Sequence, residues 1–366
     1  MPQPPGRFAY LLPAPGIPVQ GPSGASSHVR GICRALDRRG DLRVYAAKKV
    51  DRRGSFGDAL PAEVVGVGGW PSWLEKYRDL VEVRAARKIA RRVISTSRKG
   101  WHPDVVIERH SLFSDAGWRI HDALQTPWIL EVNAPLWQER GRFEGLRRPA
   151  WAKDWERRVL QSAPIIVTVS SWLVTWLRED LGCKNVHLIP NGVDDIKGDR
   201  DRGRAALGLS PSEKAIGFVG SMKPWHGIES LAGVATAVGA RLVLLGRCTS
   251  PPPGAISPGH LPPAQLADAV AALDVGLVPY PADAPPWFCP LKILTYRAQG
   301  VPVVATDIAD CRKLIGDAGT VVPPNCNDDF VSAVQTWLTR RTTPWVRSWD
   351  MVAAEVLNTA SLQGSG

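Results

Sequence analysis

Cysteine is scarce in this chain and is never closely paired. The six cysteines, at positions 33, 183, 248, 289, 311 and 326, have spacings that suggest neither a disulfide framework nor a zinc site. No apolar run approaches the ~20 residues of a membrane span. The opening Phe8-Ala9-Tyr10-Leu11-Leu12-Pro13 is too short and too broken by proline for a signal peptide, so a cytoplasmic protein with reduced thiols is expected. Missing too are zinc-finger spacings, RNA-binding aromatic motifs and the G-x-G-x-x-G dinucleotide fingerprint.

What is present is length and positive charge. At 366 residues the chain exceeds what one hydrophobic core usually serves, which predicts two domains. An apolar content of 44% with 22% charged residues is that of a globular protein. The net charge of +10, from 45 Lys+Arg against 35 Asp+Glu, favours an anionic partner: nucleic acid, an acidic membrane surface or a phosphorylated small molecule. The basic residues are scattered, which argues against nucleic acid. The densest basic stretch, Arg84 to Arg92, lies in a helical pattern from Trp73 to Ile94 with Leu74, Tyr77, Val81, Ala85, Ile89 and Val93 on one side. It reads as a core-facing helix with a solvated basic face, or as a weak membrane-surface contact.

Apolar strands and amphipathic helices alternate in two series. The first has strands at 8–12, 42–46, 64–67, 104–107, 128–132, 165–169 and 185–189, with helices such as 27–38, 115–123, 151–162 and 171–181 between them. After Pro190-Asn191-Gly192-Val193-Asp194 comes a polar stretch, 196–203. The rhythm then restarts, with strands at 215–219, 241–245, 275–279, 301–305 and 320–322 and helices at 228–238, 263–272, 291–299 and 328–340. This is the pattern of an α/β protein with two doubly wound parallel sheets. The expected domains are 1–194 and 195–342, with a terminal piece, 343–366, whose helix crosses back to the first domain. Two such sheets facing across a cleft would line it with the carboxyl ends of their strands.

Residues 287–306 predict an anion site. Pro290 is pre-set for a first helical turn, which leaves the N–H groups of Leu291, Lys292 and Ile293 pointing outward with the positive helix end and the Lys292 ammonium behind them. A plain crossover helix with a solvated lysine is the alternative. A second basic loop, Gly220-Ser221-Met222-Lys223-Pro224-Trp225-His226-Gly227, follows strand 215–219, and Lys223 would hold a diphosphate from the opposite side. Arg247, at the end of the next strand, would pass close to a nucleoside. In the first domain the loop from Gly21 through Gly24 to His28 leads into a helix, with Ser26 or Ser27 as its cap. Polar groups also close two strands: Glu108-Arg109-His110-Ser111 and Glu131-Val132-Asn133. Groups that read a substrate belong at such ends. Asn133 is neutral at every pH, so it can position a hydroxyl but cannot act as a base.

Together these residues resemble family 4 of the retaining nucleotide-sugar glycosyltransferases, which have the GT-B fold. The matches are the loop from Gly24 to Val29, the segment His187 to Asp194 with its Pro-Asn-Gly-Val-Asp hinge, the loop from Phe218 to Gly227, and the stretch from Pro290 to Thr306. The resemblance implies a nucleotide sugar bound mostly in the second domain, a hydroxyl acceptor mostly in the first, and no metal or other cofactor. It casts Lys223, Lys292, His110 and Asn133 as catalytic groups, and Gly24, Ser221, His226, Arg247, Asp283, Pro290, Leu291 and Thr295 as donor-binding ones. The chain also departs from the family. Ser221 stands where an arginine is common and His226 where a lysine is. Trp287 and Thr295 fall where two glutamates usually contact the sugar and the ribose, with Asp283 as a substitute for the sugar contact. Asn133 stands near a customary histidine. The implied function is retaining transfer of a sugar, UDP-linked, to a hydroxyl in polysaccharide or natural-product assembly. The altered glutamate pair motivates a rival, a weakly catalytic subunit that binds nucleotide or partner protein.

Overall fold

The computed structural model describes residues 6–21, 23–47, 60, 63–66 and 77–361. Pro22, Val67 and positions 73–76 of the expected basic helix lie outside the described residues. The chain forms two compact units, Met1–Pro190 with Trp349–Gly366, and Asn191–Ser348.

The first unit runs β1 (Gly6–Leu12), α1 (Gly24–Asp37), β2 (Gly40–Ala46), β3 (Glu63–Gly66), α2 (Arg78–Ser97), β4 (Val105–Arg109), α3 (Ala116–Leu124), β5 (Trp128–Val132), α4 (Leu136–Phe143), α5 (Pro149–Ser162), β6 (Ile165–Thr168), α6 (Ser171–Thr175) and β7 (Val186–Leu188). The strands form one parallel sheet in the order β3-β2-β1-β4-β5-β6-β7. Strand order reverses between β1 and β4, which opens a crevice at their carboxyl ends. The apolar runs are strands because both faces are covered: every residue of β5 is buried. Helix α1 starts at Gly24, earlier than expected, because the Ser23 hydroxyl, not that of Ser26 or Ser27, caps it by accepting the Ser26 N–H at 3.1 Å. Ser26 is turned inward and donates to the Pro18 carbonyl.

Helix α2 buries Val81, Val83, Ala85, Ala86, Ile89 and Val93, and leaves Arg84, Arg87, Lys88, Arg91 and Arg92 exposed. Its apolar side is therefore committed to the core. What faces water along Arg84 to Arg92 is charge without an apolar stripe, which differs from the amphipathic membrane helix. Among the described residues no helix is long and apolar enough to cross a membrane.

The second unit runs α7 (Arg200–Ala206), β8 (Ala215–Val219), α8 (Leu231–Ala237), β9 (Arg241–Leu245), β10 (Ile256–Gly259), α9 (Pro263–Ala271), β11 (Val275–Val278), α10 (Leu291–Ala298), β12 (Val303–Thr306), α11 (Cys311–Ile315), β13 (Gly319–Val322) and α12 (Asn327–Trp337). Its sheet, also parallel, has the order β10-β9-β8-β11-β12-β13, reversing between β8 and β11. Strand β10, Ile-Ser-Pro-Gly, was not expected. It lies at the sheet edge, where one neighbour suffices and Pro258 is tolerated, so it needs no apolar run. The polar stretch 196–203 likewise proves to contain the start of α7. Arg200 donates to the carbonyls of Ala271, Ala272 and Leu273 and to Asp274, and Arg202 grips Asp268 through two nitrogens. Arg200, with Arg204 and Arg341, which donate to the same three carbonyls, satisfies the end of α9.

The expected division at 194/195 falls instead at 190/191 in the contact pattern, and residues 343–348 stay with the second unit. The physical reason is a pairing of the two crossing chains: Val193 bridges Ser348, and its N–H donates to the Arg347 carbonyl at 2.8 Å. Beyond it, α13 (Trp349–Ser361) packs on α1 in the first unit. The contact needs a glycine, because a Cβ on Gly31 would lie 2.2 Å from the Trp349 indole.

Asp274 holds Arg200 at 2.7 Å, accepts the Ala215 N–H at 2.8 Å and lies 3.9 Å from Arg204. Asp274→Ala strips a buried acceptor from two arginines and should lower the unfolding free energy by about 3 kcal/mol. Arg158→Ala, which removes a solvent-exposed pair with Asp154, should change it by less than about 0.5 kcal/mol. Urea denaturation of the two variants measures the contrast, and equal midpoints would contradict it.

Candidate functional site

The reversal between β8 and β11 brings three segments together in the second unit: the loop 220–227 after β8, Tyr280 after β11, and the start of α10. At their centre is Lys292. Its side chain is buried, with the ammonium 4.6 Å from the ring centroids of both Phe218 and Tyr280. The Lys292 Nζ donates to the Tyr280 hydroxyl at 2.5 Å. No carboxylate forms an ion pair with it among the described residues. Burial pushes its pKa down to about 7. Cys289 and Cys311 are themselves pushed up to about 12 by burial, so both stay neutral thiols. Two aromatic faces thus provide the attraction that a counter-ion would normally supply.

Loop 220–227 is set by two features. Gly227 has φ 68° and lies so close to β11 that a Cβ would stand 1.9 Å from the Pro279 carbonyl oxygen, so only glycine fits. His226, buried, accepts the Lys223 N–H on Nδ1 at 3.1 Å. Burial, then the charges of Lys292 and Lys223, hold its pKa down at about 2. It is a neutral imidazole whose proton must sit on Nε2, a donor without a charge. Trp225 packs edge-on to His226, at 4.3 Å, and against Tyr280 and Phe288. Ser221 and Lys223 are exposed on the loop, and Arg247 is exposed just past β9.

Pro290 is the cap of α10 and not its first residue, with φ −74° and ψ 94°. Ile293 donates to the Pro290 carbonyl at 3.0 Å, so it is not the free group that was expected. The N–H groups of Leu291 and Lys292 remain without an intrahelical acceptor and carry the positive end of the helix. Thr295 donates its hydroxyl to the Leu291 carbonyl at 3.1 Å. It retains acceptor capacity only, which matches a donor such as a ribose hydroxyl. Trp287 is buried and Asp283 exposed, so no carboxylate occupies the former position. Among the described residues no cluster of three or more His, Cys, Asp or Glu side chains is arranged for a metal.

In the first unit the strand ends carry paired charges. His110, expected to face a substrate, is buried and its Nε2 lies 2.8 Å from Glu156. Glu156 also accepts the N–H groups of Leu136 and Trp137, so it caps α4 and ties that helix to β4. His110 is thereby committed to the frame. Asn133 is half-buried just past β5 and is bonded to Glu131 at 2.6 Å. Glu108 faces the other side of the sheet, where burial pushes its carboxyl up to about 7 against the bonds from Ser114 and Gly117. Gly24 opens α1 beside the β1 end of the crevice.

The aromatic enclosure of Lys292 escaped sequence reading in part. Phe218, Trp225 and Phe288 lie in recognised segments, whereas Tyr280 does not. The one usable signal was position, because Tyr280 directly follows the apolar run that ends the fourth strand of its sheet order.

Residues 22–196 match the family described as Glycosyltransferase Family 4, and residues 213–340 match Glycosyl transferases group 1. A D-inositol 3-phosphate glycosyltransferase of Segniliparus rotundus is 28% identical over 37% of this chain, a span of about a third (34%) of that relative's length. A GDP-mannose-dependent alpha-mannosyltransferase of Mycobacterium tuberculosis is 27% identical over 71% of this chain and 73% of its own. In fold, the chain is similar to sucrose-phosphate synthase from Thermosynechococcus elongatus, with a TM-score of 0.69 at 19% identity over 98% of this chain and 97% of that one. It is also similar to Anabaena HepE in complex with UDP and glucose, with a TM-score of 0.64 at 15% identity over 98% of each.

The Lys292 environment sets a pH dependence. A bound diphosphate stabilises the ammonium, so its pKa in the complex lies above the value of about 7 in the free protein. Between those two values affinity for a nucleoside diphosphate sugar should fall as pH rises, by up to about ten-fold per unit. Below pH 7 the lysine is charged in both states and this dependence disappears. Lys292→Arg, charged throughout, should flatten the profile. Calorimetric titration from pH 6 to 9 checks this, and a flat wild-type profile would refute it.

Proposed function

The chain belongs to the family 4 glycosyltransferases with the GT-B fold, and on that premise we propose that it transfers a sugar from a nucleoside diphosphate donor to a hydroxyl acceptor with retention at the anomeric carbon. The observation that carries this reading is Lys292, a buried ammonium at the start of α10 without a carboxylate partner among the described residues. A diphosphate supplies the missing negative charge. Lys292, the N–H groups of Leu291 and Lys292, and the exposed Lys223 would hold its oxygens, with the neutral His226 giving a further hydrogen bond. As the bond from the anomeric carbon to the phosphate oxygen breaks, these donors stabilise the charge that develops on the leaving nucleoside diphosphate. The acceptor oxygen bonds to the same carbon on the face being vacated, and its proton passes to a phosphate oxygen. The products are the glycoside and the nucleoside diphosphate. No protein nucleophile is required, in keeping with the tryptophan and threonine at 287 and 295.

UDP is the proposed nucleotide, as in the Anabaena complex, although the mycobacterial relative is named for GDP-mannose. Thr295, left with acceptor capacity, would take a ribose hydroxyl but without the strength of a carboxylate. The reaction is placed in the cytoplasm, feeding assembly of a polysaccharide or a glycosylated natural product. The rival reading, a nucleotide-binding subunit with little catalysis, is favoured by one observation: Trp287 is buried where a sugar-contacting carboxylate was expected.

Incubation with UDP-glucose, UDP-N-acetylglucosamine and GDP-mannose, read by release of nucleoside diphosphate and by mass of the product, tests the proposal. Wild-type protein should turn over at least one UDP-sugar. Lys292→Ala should reduce that turnover by roughly 10²- to 10³-fold, as does loss of one group facing a developing anion elsewhere. Nucleotide binding without hydrolysis or transfer from any donor would select the rival. Unimpaired Lys292→Ala would remove the lysine from the mechanism.

A further inference from the structure

The first unit contains a second arrangement that the phosphate chemistry does not use. Arg109 and Glu131 are register partners on the adjacent parallel strands β4 and β5, so their side chains leave the same face of the sheet. There the Glu131 carboxylate collects four groups. Its Oε1 accepts from Arg109 Nη1 at 2.8 Å and Asn133 Nδ2 at 2.6 Å, and lies 2.9 Å from His28 Nε2. Its Oε2 accepts the Tyr10 hydroxyl at 3.2 Å. The Trp349 ring of α13 stands edge-on to the His28 ring, with centroids 5.0 Å apart, and closes the cluster on that side.

These contacts fix a polarity. Burial favours the neutral acid at Glu131, but His28, Arg109 and Asn133 outweigh it and hold the pKa down at about 2. The group is thus a carboxylate at any working pH, and a carboxylate only accepts hydrogen bonds. An asparagine beside it has one stable orientation, with the amide nitrogen turned to Glu131. The carbonyl oxygen Oδ1 is then the group turned away. Asn133 is half-buried and immediately follows the carboxyl end of β5, one strand from the point where the order of the sheet reverses. An amide held this way recognises a donor such as a hydroxyl, and repels a carboxylate or phosphate oxygen. A freely rotating asparagine would accept either.

We propose that Glu131 is a positioning residue that, with Arg109 and His28, locks the Asn133 amide so that its oxygen accepts a hydrogen bond from a neutral hydroxyl of the substrate. The inference rests on the glycosyltransferase reading above and adds a specificity: the first unit selects a hydroxyl and disfavours an anion at this point. The hydroxyl belongs either to the acceptor or to the transferred sugar, and the assays separate the two.

Asn133→Ala and Glu131→Gln are compared singly and together, with the donor that wild-type protein turns over. Asn133→Ala should lower kcat/KM for transfer roughly ten-fold, the value of one neutral hydrogen bond made in the transition state. Glu131→Gln, which can turn its own amide toward Asn133, should cost at least as much. The double variant should be no worse than Glu131→Gln, since Glu131 acts through Asn133. Affinity for free UDP, held by the other unit, should stay unchanged in all three. Slow hydrolysis of the donor without acceptor is unaffected if the hydroxyl is the acceptor's, and falls in parallel with transfer if it is the sugar's.

A direct readout covers the case in which Glu131→Gln folds poorly. In wild-type protein the two Asn133 Nδ2 protons should differ, one protected from solvent exchange by its bond to Glu131. Selective labelling and NMR would reveal this without any turnover. Additive losses in the double variant, or two freely exchanging Nδ2 protons, would overturn the lock and leave the proposed transfer reaction standing. Absence of transfer with a protected Nδ2 proton would overturn the proposed reaction, and the substrate role of Asn133 with it.

Discussion

Burying an ammonium without a carboxylate beside it is costly, and the second unit is arranged around that fact. Lys292 sits between the faces of Phe218 and Tyr280 and donates to the Tyr280 hydroxyl, which compensates it only in part. The two thiols, Cys289 and Cys311, are kept neutral by burial and supply no counter-charge. The result is an enclosed lysine whose charge is only partly compensated. It depends on the topology, because the loop after β8 and the residues after β11 meet only where strand order reverses.

The first unit solves the opposite problem. Its buried charges are saturated with partners: Glu131 with Arg109, His28, Asn133 and Tyr10; Glu156 with His110 and the start of α4; Glu82 with both terminal nitrogens of Arg140 at 2.7 and 2.6 Å. Networks of this kind fix side-chain orientation. They leave the first unit with internally paired charges at its strand ends, and the second with a buried cation that no carboxylate pairs among the described residues. This division of chemistry matches a two-substrate reaction in which only one substrate is highly charged.

The departures at 287 and 295 gain meaning in this setting. Position 287 is a buried tryptophan, the region around Lys292 is walled by Trp225, Tyr280 and Phe288, and Thr295 has its proton engaged by its own helix. On the proposed reading, recognition here would rely on phosphate charge and aromatic enclosure more than on carboxylate contacts to sugar and ribose. Such a site would hold its donor chiefly by the diphosphate.

Much of the architecture was legible before any coordinates. Parallel strands buried on both faces must be apolar, so their runs, their alternation with helices and the break near 190–195 stand out in the sequence, as does the basic start of α10. Strand β10 was hidden because an edge strand needs no apolar run, and α7 because its arginines resemble a solvated linker until the carbonyls of α9 are placed beside them. The candidate residues could be named from their positions at strand ends and helix starts. Their states could not. Whether Lys292 is charged, whether His110 faces solvent or Glu156, and which way the Asn133 amide turns all depend on groups many residues away, brought together by strand register and strand order. The sequence alone therefore determined the fold class and the place of a lysine at the start of α10. Only the tertiary structure decided which polar groups are satisfied internally and which are left for a substrate, because hydrogen bonding and burial are properties of neighbours in space.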